Sequence, residues 1–115
     1  MQFNNDKPIY IQIVEYIILD IINGKYSANN KLPPVREIAL ELQVNPNTIQ
    51  KAYGELETMD IIYTKRNSGS FVKNEAETVE RLKDGILRDK TDEYLDYMAK
   101  IGITKKDIIE YIKEM

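Results

Sequence analysis

The sequence predicts a mainly α-helical fold that contains one small β-hairpin. Apolar residues recur at three- and four-residue spacings along most of the 115 residues, as in amphipathic helices. Two strand-like runs, IIYTK and SFVK, enclose the turn-forming residues RNSG. The length fits one small domain with an appended helical piece, so we expect a domain over residues 1–73 and a helical region over residues 74–115.

The residue composition excludes several classes of function. The chain has no cysteine and no histidine, which removes disulfides, thiol chemistry, Cys/His zinc sites and histidine-based catalysis. Four carboxylates of the helical region could be imagined as a metal site, but a solvated acidic face is the favoured interpretation of Asp89, Asp92, Glu93 and Asp96. We therefore expect neither an enzyme nor a metal or other cofactor.

The charge distribution bears on the partner, and the absence of targeting signals bears on location. The net charge is −3, but residues 1–73 carry eight basic and eight acidic side chains, so the acidity lies in residues 74–115. Local charge on one face, rather than the total, attracts phosphates. No apolar run approaches the ~20 residues that span a bilayer, and MQFNNDKPIY lacks the order of a signal peptide. A cytoplasmic protein without a membrane partner is expected.

The first predicted helix is PIYIQIVEYIILDIING, which begins at Pro8 and ends at Gly24. Proline suits a first helical turn, and glycine tolerates the left-handed conformation that ends many helices. Because isoleucine is not a strong helix former, this helix must depend on burial. A loop rich in Ser, Asn and Pro follows, and we expect Leu32 to tether it to the core.

Two helices joined by a tight link come next. Pro34 opens the first, VREIALEL, whose expected buried residues are Val35, Ile38, Ala39 and Leu42. Asn45 is a good N-cap and Pro46 a good first residue for the second, which extends over about residues 46–59. This spacing is typical of a helix-turn-helix, in which the second helix enters the DNA major groove.

The second helix has two contrasting faces. One is an apolar stripe of Ile49, Ala52, Tyr53, Leu56 and Met59, and the other carries Asn47, Gln50, Lys51, Gly54 and Thr58. Asn and Gln can pair with adenine, and Lys can reach guanine or phosphate. The stripe favours core packing for Tyr53, although its hydroxyl could reach a phosphate. For Gly54, close approach of the DNA backbone and the absence of any role both stay open.

The predicted hairpin directly follows this helix, which makes it a wing. Its tip, residues 65–70, includes Lys65, Arg66, Asn67 and Gly69. These side chains suit phosphates or the minor groove.

Residues 75–115 are expected to form three short helices that mediate dimerisation. The helices are AETVERLKDGILRDK, TDEYLDYMAKIG and DIIEYIKEM, and Thr104 with Asp107 resembles a capping box before the last. Such short helices cannot bury their apolar faces alone, so they should pack on the first domain or on a second copy. The expected dimerisation residues are Tyr94, Leu95, Met98, Ile101, Ile108, Ile109 and Ile112. Removing residues 75–115 should give a monomer.

Together these segments resemble the winged helix-turn-helix domain of GntR-family transcriptional regulators. The resemblance covers Pro8 to Val72 and rests on PIYIQI, LPPVREIA, VNPNTIQKAYGELE and a wing that ends GSFV, in the family's order and spacing. The short tail ending YMAKIGITKKDIIEYIKEM is similar to that of the YtrA-type subgroup, in which a few helices serve dimerisation.

The resemblance implies a homodimeric, sequence-specific repressor of a neighbouring transporter operon, bound to an inverted-repeat operator in double-stranded DNA. The residues expected to contact DNA are Arg36, Asn45, Pro46, Asn47, Thr48, Gln50, Lys51, Lys65, Arg66, Asn67 and Gly69. The sequence departs from the family pattern at four positions. Relatives usually have Ser or Ala at the position of Pro34 and often Arg at that of Pro46. They usually have Gly at the position of Asp60 and often Gly at that of Asn67. Many relatives contact DNA through that Arg, so base readout at Pro46 is not carried over.

Two alternatives come from other functional classes. A winged helix that binds protein instead of DNA would fit the net acidity, but it should expose aromatic or aliphatic residues where this wing and second helix have Asn, Gln, Lys and Arg. A small-molecule effector could bind between the tail helices, although so short a tail encloses little of a ligand.

Overall fold

The computed structural model describes all 115 residues as five α-helices and one two-stranded antiparallel sheet. The helices are α1 (Ile9–Ile22), α2 (Val35–Leu42), α3 (Pro46–Thr58), α4 (Glu75–Ala99) and α5 (Lys105–Lys113), and the strands are β1 (Ile62–Lys65) and β2 (Gly69–Val72). The predicted fold class, mainly helical with one hairpin, is confirmed. The chain forms two compact units, Met1–Glu80 and Arg81–Met115. None of its helices combines the length and the apolar character that crossing a membrane requires.

Helix α1 supplies much of the core of the first unit and packs against α3. Ile13, Ile17 and Ile21 are almost completely buried, and each such side chain stabilises the fold by about 2 kcal/mol relative to an exposed position. The expected dependence of this helix on burial is therefore confirmed. Asn23 caps the helix, and Gly24 follows at a φ of +78°, as the sequence predicts.

A buried polar residue, Gln12, fastens the segment that precedes α1. Its Nε2 donates hydrogen bonds to the carbonyl oxygens of Asn4 (2.9 Å) and Lys7 (2.8 Å), and its Oε1 accepts one from the backbone N–H of Asn4 (3.1 Å). Burial of an amide is tolerated when its hydrogen bonds are made. The glutamine in the PIYIQI motif therefore has a structural role that the sequence did not reveal.

Helices α2 and α3 form the predicted helix-turn-helix. Ile38, Ala39 and Leu42 are buried as expected, whereas Val35 is only half-buried because it is the first residue of α2. Gln43 ends α2 in the left-handed conformation, and its backbone N–H bonds the carbonyl oxygens of the last turn. This single residue reverses the chain direction over a very short link.

The apolar stripe of α3 is confirmed in four of its five positions: Ile49, Ala52, Tyr53 and Leu56 are buried. The prediction for Met59 is wrong, because its side chain is 38% exposed. Helix α3 ends at Thr58, and Asp60 follows at a φ of +62°. The chain therefore turns away before Met59 can continue the stripe.

The hairpin pairs β1 with β2, from Ile62 opposite Val72 to Lys65 opposite Gly69. A segment before α2 pairs with β2. Lys31 forms a bridge to Phe71, and the backbone N–H of Leu32 donates to the carbonyl oxygen of Ser70 (2.9 Å). Leu32 itself is 2% exposed, which confirms that it tethers the loop to the core.

Helix α4 corrects the prediction of three tail helices. The first two segments predicted as separate helices form one continuous helix of 25 residues, and the third corresponds to α5. Gly85 lowers helix stability by about 1 kcal/mol but removes no backbone hydrogen bond, and no proline interrupts the chain. A surface pair between Lys90 and Glu93 adds weak support across the predicted break, and one between Arg88 and Asp84 lies just before it.

The first turn of α4 belongs to the first unit. Ser27 Oγ donates a 2.7 Å hydrogen bond to Glu75, and the buried Thr78 hydroxyl donates to the carbonyl oxygen of Lys73. For this reason the compact units meet at residues 80 and 81, seven residues beyond the boundary expected from the sequence. The functional division into residues 1–73 and 74–115 stays a prediction.

Helix α5 begins with the capping box expected from the sequence. The backbone N–H of Asp107 donates to Thr104 Oγ1 (3.2 Å), and the backbone N–H of Thr104 donates to the Asp107 carboxylate (2.9 Å). The hydrogen bond from the Thr104 backbone, with a smaller contribution from the Thr104 side chain, lowers the pKa of Asp107 below its ordinary value. Gly102, at a φ of +79°, lies in the turn between α4 and α5.

Candidate nucleic-acid interface

The polar face of α3 points to solvent. Asn47, Gln50, Lys51, Gly54 and Thr58 are all exposed, whereas Thr48 is half-buried. The face therefore presents amide, ammonium and hydroxyl groups that can donate to or accept from base edges and phosphates. Its small residues leave room for a closely approaching ligand.

The cap at the start of α3 shows which side chains there serve the helix and which stay free to contact a ligand. Asn45 Oδ1 accepts a 2.8 Å hydrogen bond from the backbone N–H of Asn47, and Pro46 is the first helical residue. The predicted N-cap and first residue are confirmed. Asn47 takes part in this cap only through its backbone N–H. The Asn47 side chain is exposed.

Arg36 lies beside this helix start. A shallow surface groove is lined by Arg36, Ala39, Leu40, Gln43, Val44 and Pro46. The guanidinium-bearing side chain of α2 and the first residue of α3 therefore share one surface, as a helix-turn-helix that contacts a DNA strand requires. Arg36 is exposed, so it is accessible to phosphate.

The wing carries the other residues that are expected to contact DNA. Lys65, Arg66, Asn67 and Gly69 line a second groove, of about 350 Å³, together with the Pro33–Val35 segment that leads into α2. Asn67 has a φ of +65°, and its neighbour Ser68 donates a backbone hydrogen bond of 2.9 Å to Lys65. Asn tolerates this left-handed conformation, so it replaces the family's glycine at the tip without loss of the turn.

Lys31 is a further cation of the same groove, and the local sequence pattern places it only in a loop. Gly69 adopts a φ of +113°, and a Cβ at this position would lie 3.1 Å from Lys31 Cε. The glycine therefore allows both the backbone turn and the passage of the lysine side chain. A basic residue directly before the LPP sequence was the available signal, but only the pairing of Lys31 with Phe71 brings it to the wing.

Tyr53 belongs to the core and not to the polar face. Its hydroxyl donates a 2.6 Å hydrogen bond to the carbonyl oxygen of Pro33, and the residue is buried. Burial, with a smaller contribution from the charge of Glu37, raises the pKa of the Tyr53 hydroxyl. The favoured interpretation of this tyrosine is therefore confirmed.

Asp60 and Gly54, which have no role assigned from the sequence, differ in their surroundings in the structure. Asp60 accepts a 2.7 Å ion-pair hydrogen bond from Lys73 and adopts a positive φ. Its charge is thus paired beside the hairpin. Nothing lies within 4 Å of a Cβ placed on Gly54, and its φ is not in the left-handed region. The glycine therefore has no structural requirement within the chain.

The second unit exposes the apolar side chains that a dimer would need. Tyr94, Ile101, Ile109 and Ile112 are exposed, and Leu95 and Met98 are half-buried. Ile108 is buried, so it is removed from the expected contact surface. Further exposed apolar residues that the prediction omitted are Leu87, Tyr97 and Tyr111. The acidic residues of α4 do not gather into a group of three that could hold a metal ion.

Comparison with known proteins decides the family. Residues 9–72 match the model of the bacterial regulatory proteins of the gntR family, which covers more than half of the chain. The chain belongs to the GntR family.

It is 40% identical over 112 residues to the uncharacterized HTH-type transcriptional regulator YhcF of Bacillus subtilis, covering 97% of this chain and 93% of YhcF. It is 33% identical to the HTH-type transcriptional repressor YtrA of the same organism, covering 94% and 84%. The YtrA-type resemblance is confirmed.

Solved structures agree with this assignment. A GntR family transcriptional regulator from Listeria monocytogenes is 44% identical and superposes with a TM-score of 0.88, covering 98% of this chain and 99% of that one. The DNA-binding domain of AraR, solved in complex with its operator ORR3, is 30% identical with a TM-score of 0.56, covering 64% of this chain and 88% of that one. The GntR-family chain described here is thus a winged-helix DNA-binding transcriptional regulator, in a family of regulators rather than enzymes.

Proposed function

We propose that this GntR-family chain is a homodimeric repressor that binds an inverted-repeat operator. Each protomer inserts the start of α3 into the major groove and places its wing on the backbone or in the minor groove. Asn47, Gln50 and Lys51 provide the contacts from α3, and Arg36 adds one from α2. The second unit joins the two protomers.

One observation carries this proposal: α3 adjoins two grooves that contain cations and no carboxylates, one through Pro46 and the other through Tyr53. Arg36 lines one groove, and Lys31, Lys65 and Arg66 line the other, with no Asp or Glu among the residues that line either. This local arrangement attracts phosphates although the whole chain is acidic. The operator complex of the AraR domain and the repressor function of YtrA support the same assignment.

Titration of duplex DNA across salt concentrations tests DNA binding. The duplex is selected from a random pool, so that its half-sites and their spacing also report the symmetry of the bound protein. We expect log affinity to fall linearly with log salt, because binding releases counterions from phosphates. Arg36→Ala should weaken binding several-fold, whereas Arg88→Ala on the second unit should not. Absence of binding at low salt would overturn the proposal.

The dimer is tested on the full chain by introducing charge into the exposed apolar surface. The double substitution Ile101→Glu and Ile112→Glu should convert a dimer to a monomer in sedimentation measurements, because a buried unpaired carboxylate is costly. Thr91→Glu, at an exposed polar position of α4, is the matched control. Deletion of residues 81–115 complements it and leaves the contacts of Glu75 and Thr78 intact. A variant that stays dimeric places the interface elsewhere.

The direction of regulation is tested in the cell. The resemblance to YtrA-type regulators implies that a neighbouring transporter operon is repressed. Deleting the gene should raise transcription of that operon, and restoring the chain should lower it again. Lower transcription after deletion would instead make the protein an activator.

A protein-binding role is the second candidate, and two exposed side chains favour it. Leu40 on α2 is 82% exposed, and Tyr63 on the wing is 45% exposed. Tyr63, however, stacks on Phe71 with ring centroids 5.7 Å apart, so its presence on the wing is partly explained by packing within the hairpin. Comparison of Leu40→Ser with Arg36→Ala separates the roles, since a protein contact should be weakened more by Leu40→Ser and DNA binding more by Arg36→Ala.

A further inference from the structure

Lys51 is the one cation of the polar α3 face, and its ammonium contacts an aromatic ring of another helix. Lys51 Nζ lies 4.2 Å from the ring centroid of Tyr10, in the first turn of α1. This distance is well within the range of a cation–π interaction. The side chain is therefore directed from α3 toward α1 and does not extend along the axis of the recognition helix.

The segment that presents Tyr10 is itself fixed. Gln12, two residues later, ties residues 4 to 7 to α1 through three hydrogen bonds. Tyr10 is half-buried, and α1 packs against α3 along the core. The ring is thus a rigid support, and it engages one side of an ammonium that has three N–H donors. The other side is available to an anion, since Lys51 is exposed.

We infer that Tyr10 is a positioning residue that holds Lys51 against a backbone phosphate at the edge of the major groove, so that Lys51 supplies affinity and not base readout. A helix in the major groove is flanked by the two phosphate backbones, and a side chain drawn toward the neighbouring helix meets that flank. A lysine ammonium is a compact point charge without the planar fork of arginine, so its position on this flank favours a phosphate over a guanine edge. Base readout on this face is then left to Asn47 and Gln50. The inference rests on the proposed DNA-binding function.

The test compares three full-chain variants with wild type on the selected operator, on single-base variants of it and on a scrambled duplex. Lys51→Met removes the charge and keeps the stem, Tyr10→Leu removes the ring, and Tyr10→Phe keeps it. Lys83→Met, on an exposed position of the second unit, controls for the change in net charge. Dissociation constants are measured at several salt concentrations.

Lys51→Met should make the log–log salt slope shallower by about 0.9 on every duplex, as expected for loss of one phosphate contact. Its affinity should fall about five- to tenfold on operator and scrambled DNA alike at low salt, so that the ranking of base variants is unchanged. Tyr10→Leu should weaken binding about two- to fivefold, with no further loss when it is combined with Lys51→Met. Tyr10→Phe and Lys83→Met should behave as wild type.

Three results would overturn the inference. A changed ranking of base variants in Lys51→Met would make Lys51 a base reader. An unchanged salt slope would mean that Tyr10 holds the ammonium away from DNA. Additive losses in the double variant would mean that Tyr10 acts independently of Lys51. If wild type itself fails to bind DNA at low salt, the proposed function fails as well, whereas the first three results leave it intact.

Discussion

The hydroxyl of Tyr53 donates a 2.6 Å hydrogen bond to the carbonyl oxygen of Pro33. This bond joins α3 to the segment that leads into α2, and it lies beneath the groove between that segment and the wing. A tyrosine on the recognition helix therefore supports the DNA-binding surface from inside. Its hydroxyl already has a partner in the fold.

Tyr53→Phe should lower the free energy of unfolding by about 1 kcal/mol, because it leaves the partly buried Pro33 carbonyl without the Tyr53 donor. Urea denaturation measures this change. The salt slope of DNA binding should be unchanged at a temperature where the variant is folded. A shallower slope would show that Tyr53 contacts a phosphate after all.

The buried tyrosines should make the protein sensitive to alkaline pH. Burial raises the pKa of both Tyr26 and Tyr53 above the ordinary value of 10.0, with the charge of Asp20 adding to the effect at Tyr26. The folded state then holds more protons than the unfolded state above about pH 10, so stability falls as pH rises through that range. Below it, these groups contribute no pH dependence. Urea denaturation at about pH 8 and about pH 10.5 should show a smaller loss for Tyr53→Phe than for wild type.

Gln12→Ala should destabilise the first unit by about 1–3 kcal/mol, since it removes the three hydrogen bonds that Gln12 makes to backbone groups of residues 4 and 7. Limited proteolysis should then cut before Pro8. Glu15→Gln is the matched control, because it removes the exposed pair of Lys7 with Glu15, which fastens the same segment. An exposed pair contributes little, so an equal effect of both variants would contradict this account.

Gly54→Ala should raise the free energy of unfolding by about 1 kcal/mol, because alanine is a better helix former and the added methyl group meets no atom within 4 Å. Gly85→Ala in α4 has the same open surroundings and should stabilise to a similar extent. Thermal unfolding compares the two. A loss of DNA affinity confined to Gly54→Ala would identify close approach of the DNA backbone as the reason for this glycine.

Gly69→Ala should have the opposite sign. Alanine at a φ of +113° is strained, and its Cβ would press on Lys31 Cε at 3.1 Å, so we expect a loss of about 1–3 kcal/mol. DNA affinity should fall as well, because the wing and Lys31 move together. Lys31→Met tests the lysine separately and should reduce DNA affinity without reducing stability. Retained affinity in both variants would exclude this part of the wing from the interface.

Local signals in the sequence were sufficient for the elements of the DNA-binding unit. Asn45 and Pro46 mark the start of α3 because capping and a fixed φ act within a few residues. The same holds for the Thr104 and Asp107 capping box and for the hairpin turn at Asn67. Helix α4 was predicted as two helices because a run of polar residues around Lys90 interrupts the local apolar pattern. The continuous backbone hydrogen bonds of a helix tolerate such a run.

By itself, the sequence determined which faces are apolar, where most helices begin and which family the chain resembles, since these depend on residue order and short-range geometry. Only the tertiary structure decided which distant residues meet. Lys31 reaches Gly69 through a bridge between a loop and a strand, Tyr10 meets Lys51 through the packing of α1 on α3, and Gln12 clamps a segment that precedes its own helix. Such contacts join residues that lie far apart in the chain or whose patterns carry no pairing signal, and they form only when the core brings their elements together.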